Sequence, residues 1–228
     1  MFNVLLIAKK NCPLSKKIFY FLKKRIKKIY FIQSDLNNGK ILKKKLMGIK
    51  KNQYDYLICF RSYLILKKNL LSKIKFASIN FHPGPPSYRG IGCANFALIN
   101  NEKKYGSTCH IINEKIDNGQ ILDVKYFNLK KNENINSLLK KTHNLMFRQC
   151  INILKKIFIN KVPLKKLNKN YKKFKWGKIL YTRKKLNKLY NFKKTVSKKE
   201  FKKLLAACVT EKFLPYVTIH GKKFFYSK

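Results

Sequence analysis

Residues 77–90, Ala77-Ser78-Ile79-Asn80-Phe81-His82-Pro83-Gly84-Pro85-Pro86-Ser87-Tyr88-Arg89-Gly90, decide how this chain is read. Ala77 to Phe81 reads as a short buried strand, with Ile79 its clearest β former. The strand runs out on Asn80-Phe81-His82, into a loop too rich in proline and glycine to be helix or strand. Asn80 and His82 are two apart on extended backbone, so their side chains share one face. Toward the N-terminus the same apolar strand type recurs at Phe2 to Ala8, Ile29 to Gln33 and Tyr54 to Phe60. Helical spacing separates these strands. Ile18, Phe19, Leu22 and Ile26 follow Ser15 as the expected cap, Ile41 to Met47 follows the turn Asn37-Asn38-Gly39, and Leu64 to Leu71 is expected to be helical in part.

Strand alternating with helix predicts an α/β fold, a Rossmann-like, mostly parallel sheet flanked by helices. In open sheets of this kind the site lies beyond the carboxyl ends of the strands, where Asn80 and His82 are delivered. Toward the C-terminus, a helix starts near Gly92 and carries Phe96, Ala97 and Ile99. Gly106 to Ile112 and Ile121 to Phe127 read as strands around a polar loop, Asn113 to Gly119, that contains Asp117. Ile135 to Ile159 reads as one long amphipathic helix. The composition shifts near Pro163, giving a division into residues 1–163 and a small extension, 164–228. In the extension, Lys165 to Lys194 reads as a Lys-rich connector broken by Trp176-Gly177. A helix capped by Ser197, with Glu200 at capping-box spacing, follows through Leu205, and Leu214 to Ile219 with Lys222 to Tyr226 forms a closing β-hairpin.

The 228 residues carry 54 Lys and Arg against nine Asp and Glu, a net charge of +45. Such a balance suits nucleic acid or anionic small molecules. Only five of the basic residues are Arg, however, and the chain is crowded with Asn, Ile, Phe and Tyr. Selection for phosphate geometry favours the Arg fork, so the Lys excess reads mainly as compositional bias. Six scattered cysteines lack the spacing of a zinc or disulfide framework and read as buried thiols in a reducing compartment. No apolar run reaches bilayer length, and the first apolar stretch is too short for a signal peptide. The expected location is cytoplasmic.

Asn80, His82 and Asp117 stand out because the chain has so few acids and only four histidines. Asn80-Phe81-His82 through Pro86-Ser87-Tyr88-Arg89-Gly90 resembles the N-x-H … P-x-(Y/W)-R-G segment of the folate-dependent formyltransferases. Gly106-Ser107-Thr108-Cys109-His110 with Asp117-Asn118-Gly119 resembles that family's G-x-T-x-H … D-x-G segment. Arg61-Ser62-Tyr63-Leu64-Ile65-Leu66 is similar to the segment that walls the family's folate pocket. Trp176 to Arg183 and Pro215 to Tyr226 are similar to the tails of formyltransferases acting on amino sugars. The chain departs from the family at Gly84-Pro85-Pro86, where many members carry Ser-Leu-Leu-Pro, and it has no G-x-G after the first strand.

The resemblance implies attack of a primary amine on the formyl carbon of N10-formyltetrahydrofolate, without a metal. Asn80 and His82 would stabilise the formyl oxygen, and Asp117 would keep His82 charged and assist proton transfer. Ser62, Tyr63, Leu64, Ile65 and Leu66 would hold the folate. Tyr88, Arg89 and His110 would lie on the substrate side, with Arg89 either an anion contact or a carboxylate partner and Trp176 either a base-stacking residue or a packing anchor. The expected acceptor is a small, anionic, nucleotide-linked amino sugar. The alternative is methionyl-tRNA, although relatives using it carry a further barrel of about a hundred residues. A basic nucleic-acid-binding module is the competing class; it would leave Asn80, His82 and Asp117 unexplained. The closing hairpin offers a pairing edge for a homodimer.

Overall fold

A computed structural model describes residues 2–167 and 173–227. Six strands form the central sheet: β1 (Asn3–Lys9), β2 (Lys28–Ser34), β3 (Tyr54–Phe60), β4 (Ile74–His82), β6 (Lys104–Ile111) and β7 (Ile121–Asn128), in the order β2-β1-β3-β4-β6-β7. The first four run parallel; β6 pairs antiparallel with β4, and β7 pairs antiparallel with β6 and so runs with the first four. The run Val4-Leu5-Leu6-Ile7-Ala8 is apolar throughout because both sheet faces are covered. Val4, Leu6 and Ala8 pack toward α1 (Pro13–Lys23) and α5 (Ile135–Phe158). Leu5 and Ile7 pack on the opposite face against Leu46 of α2 (Gly39–Met47). Asn134 caps α5 in a reciprocal pair with Ser137. That cap is worth about 1 kcal/mol and fixes the start of the 24-residue helix.

Two local expectations, the Ser15 cap and the unstructured connector, are corrected. Cys12 precedes α1 as its cap and Pro13 opens the helix; Ser15 lies buried inside the first turn. Proline suits that position because the first N–H has no helical partner. The stretch expected as partly helical is so: Lys68–Leu71 forms a single turn (α3), and residues 62–67 run as an open segment. The connector is more ordered than its lysine content suggests. It holds α6 (Leu164–Leu167), β8 (Leu180–Tyr181), α7 (Arg183–Tyr190) and β9 (Asn191–Phe192). Thr182 caps α7, and its Leu186 is buried. The part of the connector spanning 168–172 lies outside the described residues.

The short strand β5 (Arg89–Gly90) pairs in parallel with β8, tying the loop after β4 to the C-terminal segment. Beyond it, α8 (Lys198–Cys208) packs on α4 (Cys93–Ile99), where Asn95 Nδ2 donates to Ala207 O at 2.7 Å. The expected hairpin is present as β10 (Tyr216–Ile219) and β11 (Lys222–Phe225), and β9 extends it to three strands. All six thiols are free and buried. No helix among the described residues is long and apolar enough to cross a membrane.

Candidate active site

Four polar side chains converge at the carboxyl end of β4. The parallel run of β4 brings up Asn80 and His82. Antiparallel pairing sets His110 of β6 directly opposite Asn80. The loop between β6 and β7 folds back to deliver Asp117, whose backbone takes a left-handed φ of 42°. His110 Nδ1–H donates to Ile111 O at 2.8 Å, so Nε2 is the ring nitrogen left to face the site. It takes a hydrogen bond from Asn80 Nδ2 at 3.1 Å and lies 3.4 Å from Asp117 Oδ1. His82 is turned the other way. Its Nε2–H donates to Tyr88 O at 2.7 Å, and Nδ1 faces Asp117 Oδ2 at 3.3 Å. The Gly90 N–H donates to the same Oδ2 at 2.8 Å.

Burial alone would raise the Asp117 carboxyl. His82, His110 and the Gly90 amide outweigh it and hold the group well below the usual carboxylate range. Burial pulls the His82 imidazole below the usual histidine range, with the charge of Asp117 opposing that pull. Asp117 is therefore a fixed anion and a weak proton acceptor on its own. Its effect is exerted through the two histidines it joins.

A cavity of about 650 Å³ opens above this ensemble. Asn80, His82, His110 and Asp117 line it together with all five residues of the 62–66 segment. Tyr63 and Ile65 stand 43% and 61% exposed there, apolar surface left for a ligand to cover. Two of the residues expected on the substrate side, Tyr88 and Arg89, are not among those that line the cavity. Tyr88 is 3% exposed; its hydroxyl donates to Glu102 and accepts from Asn100, and its ring stacks on Tyr181. What it gives the site is its carbonyl, which holds His82. Arg89 spends its N–H groups on the carbonyls of Asp117, Ile116 and Gly177, so it braces the Asp117 loop. The expected His82 N–H toward substrate is likewise committed to Tyr88 in this arrangement. Of the two roles weighed for Trp176, the structure shows the anchor: its Nε1–H donates to Gly119 O at 2.7 Å.

Sequence reading missed His143 and Lys9, which also line the cavity; Arg61 lines it too, at the start of the segment expected to wall the folate pocket. His143 lies on the same face of α5 as Met146 and Cys150, and a polar ring on an apolar helix face was the available signal. Burial, then the charges of Arg61 and Lys9, pull its imidazole down to about 3. The unfolded chain takes that proton first, from about pH 6.5 downward, so His143 subtracts stability progressively as pH falls toward the folded value. His143→Gln is expected to lose less Tm between pH 7 and pH 5 than the parent; equal losses in a thermal-melt series would contradict this.

An asparagine, two histidines and an aspartate thus gather at the carboxyl end of the parallel strands, beneath an open cavity in an α/β fold. Residues 20–154 match the family described as formyl transferase, and the chain belongs to that family. It is 35% identical over 132 residues to the bifunctional polymyxin resistance protein ArnA of Wigglesworthia glossinidia brevipalpis, which is 56% of this chain and 20% of that protein. It is 32% identical over 115 residues to the methionyl-tRNA formyltransferase of Ehrlichia canis (strain Jake), 50% of this chain and 38% of that one. The match thus spans well under half the length of either relative. The fold superposes on a sugar N-formyltransferase from Shewanella sp. FDAARGOS_354 with a TM-score of 0.78 at 19% identity, over 99% of this chain and 96% of that one. It also superposes on the N-formyltransferase from Helicobacter canadensis, solved with folinic acid and dTDP-3-aminofucose, with a TM-score of 0.70 at 20% identity, over 98% and 86%.

Proposed function

We propose that the chain transfers a formyl group from N10-formyltetrahydrofolate to the primary amine of a nucleotide-linked amino sugar. The observation that carries this reading is the convergence of Asn80, His82, His110 and Asp117 on one cavity floor beside the 62–66 wall. The uncovered Tyr63 and Ile65 suit a flat, largely apolar ring system such as a pterin. The folate supplies the activated formyl carbon. Asn80 Nδ2 donates to the formyl oxygen as it gains negative charge, a contribution of about 3 kcal/mol for one such donor. His82 acts on the same oxygen through its charge when protonated beside Asp117. The lone pair on His110 Nε2, backed by Asp117, takes the proton released by the attacking amine; as the carbonyl re-forms, the bond from the formyl carbon to N10 breaks and N10 leaves with a proton, giving tetrahydrofolate.

Two observations support an anionic acceptor with a sugar. Lys115 and Arg183 put positive charge on the cavity wall outside the 62–66 segment. The likeness to solved sugar N-formyltransferases runs through the C-terminal segment, whose Tyr181, Thr182 and Arg183 line the same cavity. Arg183→Gln is expected to raise the KM of the amine about tenfold through loss of one charged contact, leaving that of the folate unchanged. Steady-state kinetics with each substrate varied in turn check this, and a rise confined to the folate would reverse the assignment. Methionyl-tRNA is the second acceptor, favoured by the sequence relatives and the net charge of +45. A screen with N10-formyltetrahydrofolate, comparing amino-sugar nucleotides with methionyl-tRNA, separates the two. Tight, salt-sensitive tRNA binding with no transfer to any amine would replace both with a nucleic-acid-binding module.

A further inference from the structure

Trp176 is the chain's single tryptophan and lies outside the residues that match the family. Its indole N–H holds the carbonyl of Gly119, two residues beyond Asp117. Gly119 has no room for a side chain: a Cβ there would fall 1.8 Å from Ile111 O. The Trp176 ring meets His110 edge-on, with centroids 5.0 Å apart, and His82 at 6.1 Å. The next residue is also clamped. Gly177 N–H donates to Pro86 O at 2.9 Å, and Gly177 O accepts from Arg89 Nη1 at 3.3 Å. Arg89 in turn holds Ile116 O and Asp117 O. The dipeptide Trp176-Gly177 thus closes a ring of contacts joining the loop after β4 to the loop that carries Asp117. Such a ring has work to do, because a left-handed aspartate persists only where its surroundings hold it.

We propose that Trp176 is a positioning residue for the catalytic ensemble, fixing the Asp117 loop through its N–H and the His110 and His82 rings through its indole. The C-terminal extension is then part of the working site. Asp117 is faced by His82 from β4, His110 from β6, Arg89 and the Gly90 amide from the loop after β4, and the Cys93 thiol from α4. Loosening the loop draws Asp117 away from its histidines. The carboxyl then rises toward its ordinary value, and His82 loses the anion that opposes its burial and falls further. Both movements narrow the pH range of activity. A plain loss of folded protein leaves that range where it was.

The inference rests on the formyl-transfer reading for its effect on rate, so the test includes a readout that needs no substrate. With only four histidines in the chain, the imidazole titrations can be followed by NMR in the ligand-free full chain. Trp176→Phe keeps a ring and removes the N–H. It is expected to move the His82 titration to lower pH and to reduce kcat about tenfold, with both KM values little changed. Trp176→Ala removes both contacts and is expected to reduce kcat about 100-fold. If Trp176→Ala does not fold, Trp176→Phe carries both readouts. An unmoved His82 titration in Trp176→Phe overturns the proposal, including where activity falls only in step with folded protein. Absence of formyl transfer in the parent would sink the functional reading alone, because the titration still decides this one.

Discussion

Asp117→Asn is expected to lower turnover by about 10³-fold while the protein stays folded. The carboxylate bridges both site histidines, with Oδ1 toward His110 and Oδ2 toward His82. An amide of the same shape keeps an acceptor for the Gly90 N–H but removes the charge. It also suits the backbone, since asparagine tolerates the left-handed φ of 42° better than most residues. The loss should therefore fall on kcat and not on solubility or folding. Stability supplies a second check. Asp117 is held below its unfolded value, so its contribution is present above about pH 4 and is lost as pH falls through the folded value. The parent's stability advantage over Asp117→Asn should shrink as the solution is acidified. Single-turnover formyl transfer and thermal melts across pH measure both, and parent-like turnover would remove Asp117 from the mechanism.

His82→Ala is expected to cost about 100-fold or more in kcat, with the folate KM little changed because the 62–66 wall is separate from this ring. The imidazole spans Tyr88 O and Asp117 Oδ2. Removing it takes away the positive charge beneath the formyl oxygen and leaves Asp117 with His110 and the Gly90 amide as its remaining partners. It also opens space against Gly84, where a Cβ would now come within 2.7 Å of the ring nitrogen. His82→Gln, which can still donate to Tyr88 O, serves as the control for packing. If its kcat matches that of the parent, the ring acts as a spacer and the charge plays no part.

Much of this was legible in the chain because the signals are local. A run such as Val4 to Ala8 is apolar at every position only if both faces are covered, and the structure splits it between two cores. The spacing Asn80-x-His82 places two side chains on one face of a strand whatever surrounds it. The two motif segments carry the family resemblance, and the match over residues 20–154 bears it out. Lysine content misled the reading of residues 180–192. Apolar Leu186 and the Thr182 cap outweigh the charges there, because lysines can keep their ammonium groups in water while their stems pack. Tyr88 looked like a substrate contact because of its place in a motif. Its burial against Tyr181 depends on a residue 93 positions further on, which no local pattern reveals.

The sequence by itself determined the strand–helix alternation, the strand edge carrying Asn80 and His82, and the loop carrying Asp117, since periodicity and turn chemistry act over a few residues. Only the tertiary structure decided how each ring nitrogen is engaged, that His143 faces the cavity, and that Trp176 reaches the Asp117 loop from the C-terminal segment. Those outcomes depend on antiparallel pairing of β4 with β6 and on contacts between residues tens of positions apart. Hydrogen-bond direction and burial are properties of the assembled surroundings, and no single stretch of chain encodes them.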